Sequence, residues 1–354
     1  MEQKDTDKYF RLSCPVPITE YERVLLAHGG GGRLTHQLIE KMFLPEFGND
    51  FIRPLHDGAI LPPAGYRLAF TTDSYVVKPI FFPGGNIGDL AVYGTVNDLA
   101  CCGAKPLYLS LAFIIEEGLE MEKLWEIVRS IRLAAERAGV MVVTGDTKVV
   151  DRGKGDEIFI NTSGIGIIPD DVNIAPGNCL PGDKVIVSGP IAEHGIAILS
   201  SRSGLSFSTA IRSDSAPLNG LVEMMLGTTR NIRVLRDPTR GGVASALNEI
   251  AGACRYRITI EENRIPVREP VRGACEILGI DPLYIANEGK LLAVVDPDDA
   301  DRLVEAMHQH PLGSGAAIIG EVTETRNPSL HMITTIGTSR IVDMISGEQL
   351  PRIC

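Results

Sequence analysis

Two periodicities take turns along this chain, and their alternation restricts the fold more than any other feature. Leu34, Leu38, Ile39, Met42 and Phe43 mark a helix face, Leu68-Ala69-Phe70-Thr71-Thr72 a strand, and Ile87–Ala100 a long helix rich in small residues. Met121, Leu124, Ile127, Val128 and Ile131 recur at helical spacing; Val140–Thr144 and Ile158–Ile168 read as strands. Pro176-Gly177-Asn178 and Pro181-Gly182-Asp183 then interrupt the pattern and place a domain boundary near 170–180. Beyond it the mixture repeats, with strands at 184–188, 257–260, 291–296 and 316–322 and helices at 192–202, 214–226, 242–253, 270–278 and 298–309. The fold class is therefore α/β or α+β in two domains, as the length of 354 residues also leads one to expect. The expected organisation is a flexible lead-in over 1–24, an N-terminal domain over 25–172, a C-terminal domain over 173–340 and a mobile tail over 341–354. Periodicity leaves the sheet topology open.

Composition narrows the partners. A net charge of −11 argues against nucleic acid and anionic membranes, and a polyphosphate site in so acidic a chain must recruit metal ions. Residues 1–20 are polar and charged, and no apolar run approaches a membrane span, so neither export nor membrane insertion is expected. Seven cysteines without CxxC spacing read as reduced thiols of a cytoplasmic protein. The adjacent Cys101 and Cys102 point different ways on a helix and read as buried packing thiols. The seven histidines lack HExxH spacing, which argues against zinc.

Four clusters carry the chemistry. His28-Gly29-Gly30-Gly31-Gly32-Arg33 precedes a helix, where backbone N–H groups and the helix start can meet an anion; a plain hinge explains it equally well, and no GxxxxGK[ST] loop exists. Asp57, Asp73, Asp98 and Asp146 are expected on turns at strand ends, as hard oxygen ligands for Mg²⁺ on a polyphosphate or as ordinary turn caps. Lys148 would add a point charge for a phosphate. Arg236-Asp237-Pro238-Thr239-Arg240-Gly241-Gly242 opens a helix and offers a second anion site or an ordinary cap. In Ala286-Asn287-Glu288-Gly289-Lys290, Glu288 reads as a base, a ligand or a structural turn. The chain also stops at a thiol, Pro351-Arg352-Ile353-Cys354. Eight residues of extended tail span on the order of 25 Å, so Cys354 can serve as a carried nucleophile or as a frayed end.

In order along the chain, His28-Gly-Gly-Gly-Gly-Arg33, Thr72-Asp-Ser-Tyr75, Phe81-Phe-Pro-Gly-Gly-Asn-Ile-Gly88, Gly94-Thr-Val-Asn-Asp-Leu99, Thr144-Gly-Asp-Thr-Lys148, Asn161-Thr-Ser-Gly164, Asp237-Pro-Thr-Arg-Gly-Gly242, Ala286-Asn-Glu-Gly-Lys290 and the terminal tetrapeptide resemble the HypE family of hydrogenase maturation proteins. That family is a branch of an ATP-dependent group with aminoimidazole ribonucleotide synthetase, selenophosphate synthetase and thiamine-monophosphate kinase. The resemblance runs from about residue 24 to the end. It implies an N-terminal half-barrel that pairs into a homodimer and a C-terminal split βαβ domain. It also implies a carbamoyl dehydratase for [NiFe]-hydrogenase maturation. HypF would carbamoylate Cys354, ATP would phosphorylate the amide oxygen, loss of phosphate would leave a thiocyanate, and a HypC–HypD complex would take the cyanide.

The resemblance implies roles as well: Cys354, Glu288 and Lys148 in catalysis, with Glu288 the base. His28, Gly29, Gly31, Gly32, Asp73, Asp98, Asp146 and Asn161 would meet ATP, and Asp57, Asp73, Asp98, Asp146 and Asp237 would hold Mg²⁺. Two rivals stay open, a small-molecule phosphotransferase or synthetase of the same group and a non-catalytic assembly scaffold. The synthetase reading wants a reactive Cys near the Gly-rich loop, where only Cys14 is available.

Overall fold

The computed structural model describes residues 32–43, 53–55, 59–61, 65–203, 211–325, 327–344 and 353–354. The lead-in over 1–24, the glycine run at 28–31 and Asp57 lie outside the described residues. The first half carries α1 (Arg33–Leu38, continued by a wide turn over Ile39–Phe43), β1 (Ala59–Leu61), β2 (Arg67–Tyr75), a hairpin of β3 (Phe81–Phe82) and β4 (Gly85–Asn86), α2 (Ile87–Cys101), β5 (Lys105–Glu116), α3 (Met121–Ala138), β6 (Met141–Val150) and β7 (Ile158–Ile168). Its sheet runs β1-β2-β7-β5-β6, antiparallel except for the β5–β6 pair.

The helix α2 explains its own composition. Asn86 and Asp89 form a reciprocal capping box at its start, and every residue of the helix except Asp89 and Asp98 is buried. One side lies on β2 and β7, and the other meets a helix of the second half, so small and apolar residues are needed all round. Cys101 at its last position and Cys102 at its C-cap are both buried, as packing thiols should be.

The second half contains β8 (Lys184–Val187), α4 (Glu193–Ser203), α5 (Asn219–Thr228), β9 (Ile232–Arg236), α6 (Gly242–Cys254), β10 (Arg257–Glu261), α7 (Glu269–Leu278), β11 (Leu292–Val295), α8 (Pro297–Met307), β12 (Ala317–Thr323), β13 (Ser329–Ile333) and β14 (Ser339–Val342). The sheet order is β14-β13-β10-β12-β8-β11-β9, with only β10–β13 parallel. Alternation along β8 shows how the sheet is buried on both faces: Val185 and Val187 join α4, α6 and α7, while Ile186 joins α2, α5 and α8. A third core fills the first half and draws in Ile198 of α4, Ala286 and Ile353 of the tail. The two halves are thus one packed body.

Three expectations need correction. The strand expected over 140–144 continues to Val150, because Gly145 runs straight through: a Cβ there would lie 2.1 Å from the Leu111 carbonyl oxygen of β5. The helix expected from 214 begins at Asn219, because the preceding backbone is committed elsewhere: Ser213 N–H bonds Pro83 O and Leu218 N–H bonds the Asn97 side chain. Three of the four aspartates are not turn residues: Asp73 lies in β2, Asp146 in β6 and Asp98 in α2. At the far end, β14 carries the chain to Val342 within the sheet, two residues into the range expected for the tail.

Candidate active site

A cavity of about 960 Å³ opens between the two halves, and Asp73, Asp98, Asp237, Arg240, Glu288 and Cys354 all contribute to its wall. Each arrives on a different element. Asp73 and Asp98 come from facing surfaces of β2 and α2, joined where Thr71 Oγ1 donates to Asp98 Oδ2 at 2.9 Å. Asp237 follows β9, and Arg240 sits three residues on, with its guanidinium 4.0 Å from Asp73 Oδ1. The far wall holds His36, whose Nε2 lies 3.0 Å from Glu249 Oε1; that bond raises the imidazole above its usual value.

Glu288 is held by backbone geometry. Its N–H donates to Asp214 Oδ1 at 3.2 Å and its carbonyl accepts from Asn97 Nδ2 at 3.1 Å. Asn97 also donates to Ala216 O and accepts from Leu218 N–H, so one buried amide in α2 pins both the 214–218 segment and the Glu288 turn. Asn287 does the same for the opposite wall, donating to Pro238 O at 2.9 Å. The next residue has to be glycine: a Cβ at Gly289 would sit 1.8 Å from Asp214 O. Lys290 Nζ then lies 3.1 Å from Asp214, whose side chain is buried, and 3.7 Å from Glu193, a buried residue.

The electrostatics single out Glu288. It is 3 % exposed, and its Oε1 has no hydrogen-bond partner. Burial, then the carboxylates of Asp237, Asp73 and Asp214, push its pKa well up, with Arg240 opposing them. Asp237 is raised as well, by burial. An uncompensated carboxyl aimed into a polar cavity suits proton transfer or a cation.

The tail ends inside this cavity. Val76 N–H donates to Cys354 O at 3.1 Å, and the Ile353 side chain is 5 % exposed in the core of the first half. Enclosure pushes the Cys354 thiol from 9.0 to about 12, Arg240 pulling the other way. In this seat the sulfur is a thiol and not a thiolate.

The expected site residues therefore divide. Asp73, Asp98, Asp237, Glu288 and Cys354 come together. Asn161, Asp146 and Lys148 share the opposite, open face of the first sheet, where Ala112 pairs with both Asn161 and Asp146. There Lys148 Nζ lies 3.2 Å from Asp146, both side chains more than half exposed, and Asn161 Nδ2 donates to Asp73 O. Gly32 is buried just ahead of α1. Among the described residues no three acidic, His or Cys side chains converge into a metal cage. The paired Asp73 and Asp98 do suit Mg²⁺, which takes one or two carboxylates and completes its shell with phosphate and water. Asn97, Asp214 and Lys290 escaped the sequence reading as site residues. Asn97, a polar residue amid the small and apolar ones of α2, was the available signal.

Residues 55–168 match the AIR synthase related protein N-terminal domain, and residues 181–333 match the corresponding C-terminal domain. The chain is 53% identical to a carbamoyl dehydratase HypE of Rhizobium leguminosarum bv. viciae over 94% of its own length and 95% of that relative. Among solved structures it is similar to a HypE–HypF complex chain (TM-score 0.83, 51% identity, 87% of this chain and 99% of that one). It is likewise similar to hydrogenase maturation protein HypE in complex with ATP (TM-score 0.79, 48% identity, 94% and 100% covered). Among the described residues no helix is long and apolar enough to cross a membrane.

Proposed function

The chain belongs to the HypE family of AIR synthase related proteins, and from that premise we propose that it dehydrates a carbamoyl group carried on Cys354, at the expense of ATP, for [NiFe]-hydrogenase maturation. The observation that carries this reading is the seat of Cys354 in the same cavity as an unpartnered buried carboxyl, Glu288. HypF, which forms a complex with a relative 51% identical, would supply the carbamoyl group. The docked thiol is too weak an acid to act as a nucleophile, so transfer takes place with the tail out and dehydration with the tail in.

In the cavity the amide oxygen attacks the γ-phosphorus of ATP, ADP leaves, and one N–H proton is lost. The C–O bond then breaks, phosphate departs, the second N–H proton leaves, and a thiocyanate remains on Cys354. Amide oxygen is a poor leaving group and phosphate a good one. Glu288 takes a proton from the amide nitrogen; its raised pKa makes it a stronger base once ionised. Arg240, half exposed beside Asp73, faces the developing phosphate charge. Asp73, Asp98 and Asp237 would hold Mg²⁺, which would neutralise phosphate charge; Asp57 and residues 28–32 would complete the nucleotide site.

Asp146, Lys148 and Asn161 act, on this reading, from a subunit seam. The open sheet face exposes Phe70, Tyr108, Ile114 and Ile165, with Met141, Val143 and Val149 along an edge strand, an apolar expanse that a homodimer would cover. A HypC–HypD complex would take the cyanide, in the cytoplasm. The test is intact mass after incubation with HypF, carbamoyl phosphate and ATP. Wild type should gain a carbamoyl group and then lose one water, and Cys354→Ala should gain nothing. An adduct on Cys354→Ala would overturn the assignment.

A further inference from the structure

The tail must enter and leave the cavity, so something specific has to hold it in. Ile353 supplies apolar burial, but apolar burial has no direction and cannot fix where the sulfur points. Direction comes from two hydrogen bonds to backbone oxygens of the last two residues. One is Val76 N–H to Cys354 O; the other joins His194 Nε2 and Ile353 O at 2.6 Å.

We infer that His194 is the latch of the carried thiol: a positioning residue that holds the tail docked for dehydration and is not needed for loading the carbamoyl group outside. Its setting is built for one tautomer. A carbonyl can only accept, so Nε2 must carry the proton and Nδ1 must accept. Nδ1 lies 2.8 Å from Ser213 Oγ, whose hydroxyl therefore donates to it, and Ser213 Oγ in turn accepts from Ser215 N–H at 3.1 Å. The result is a directed chain, Ser215 N–H to Ser213 O–H to imidazole to Ile353 carbonyl, in which each bond polarises the next.

The ring has no other freedom. His194 is 0% exposed, and Phe82 meets it edge-on with centroids 5.6 Å apart. Burial lowers its pKa and keeps it neutral, as the chain of bonds requires. Its supports come from both halves: α4 carries the histidine, the β3–β4 hairpin carries Phe82, and Pro83 O accepts the Ser213 N–H at 2.7 Å. The same segment holds Asp214, which bonds the Glu288 N–H. Seating the tail and aligning the base are thus coupled through adjacent residues, Ser213 and Asp214.

The latch rests on the proposed carbamoyl chemistry only for its catalytic consequence, and the test separates the two. Alkylation of Cys354 by iodoacetamide, read by mass on peptide 349–354 released after Glu348, needs neither ATP nor HypF. Losing one buried hydrogen bond should raise the alkylation rate about 5-fold in His194→Ala. His194→Gln, whose Nε2 can reach the Ile353 carbonyl, should return to near the wild-type rate. His194→Asn, which reaches only toward Ser213, should not. Ser213→Ala, which leaves the histidine in place but frees its tautomer, should fall between.

In the full reaction with HypF, His194→Ala should accept carbamoyl faster than wild type, as it does the alkylating agent, yet dehydrate it more slowly, because the docked group is no longer fixed in direction. Equal alkylation in wild type, His194→Ala and Ser213→Ala, with circular dichroism unchanged, would overturn the latch. Increased alkylation together with no dehydration even in wild type would leave the latch standing and overturn the carbamoyl reading.

Discussion

Replacing Glu288 by Gln removes a proton acceptor while keeping the shape of the side chain, and the structure sets the two expected magnitudes apart. The carboxyl is buried, one oxygen has no partner, and three acidic neighbours already disfavour its charge. A neutral amide in that position relieves repulsion and can donate to the carboxylates, so stability should change by no more than about 1 kcal/mol. Loss of a general base costs ~10²–10⁴ in rate. The variant should therefore bind ATP, accept the carbamoyl group and stall, its tail peptide staying at the carbamoyl mass through a time course in which wild type loses water.

The linkage gives a second readout. The folded pKa of Glu288 lies above 4.5, so its contribution to stability is complete below pH 4.5 and is lost as pH rises through the folded value. Melting curves of wild type should decline relative to Glu288→Gln over that rise. Dehydration at the wild-type rate in Glu288→Gln would refute the base assignment, and a loss of several kcal/mol would show that the carboxyl holds the turn.

Other expectations follow from the same cavity. Asp98→Asn should weaken Mg²⁺-dependent ATP binding by about tenfold or more in calorimetry, because a charged hard-oxygen ligand becomes neutral. Gly289→Ala should lose roughly 3 kcal/mol or more in denaturant unfolding, because its Cβ would collide with backbone, where no side chain can swing aside. The Cys354 thiol is raised from 9.0 to about 12 when docked, so docking should weaken about tenfold per pH unit between these values. The apparent alkylation pKa of Cys354 should lie above 9.0 in wild type and fall back toward 9.0 in Ile353→Ala, which loses the apolar anchor.

Much of this was legible in the residues, and the failures have physical causes. Ile158–Ile168 and Ile87–Cys101 were read nearly to their ends, because both are long and their patterns are uninterrupted. Gly145-Asp146 misled because glycine beside aspartate looks like a turn, whereas here glycine admits a neighbouring strand. The start of α5 was misplaced by long-range bonds from Pro83 and Asn97, which no local window contains. Asp73, Asp98, Asp237, Glu288 and Cys354 were each chosen from local motifs, but their meeting in one cavity depends on how two halves pack. The separation of Asp146 and Lys148 from that group reflects strand alternation, set by a register that the sequence did not fix in advance. His194 stood in no motif at all; its role is visible only where the end of the chain folds back 159 positions to meet it.

The central claim is that the carbamoyl oxygen of the group on Cys354 leaves as phosphate. Load Cys354 through HypF with carbamoyl phosphate labelled with heavy oxygen in the carbamoyl group, remove the donor, and add unlabelled ATP in unlabelled water. One labelled oxygen should then appear in inorganic phosphate for each thiocyanate formed on peptide 349–354. Thiocyanate formation with unlabelled phosphate, the label going to water instead, would contradict phosphorylation of the amide oxygen and with it the proposed reaction.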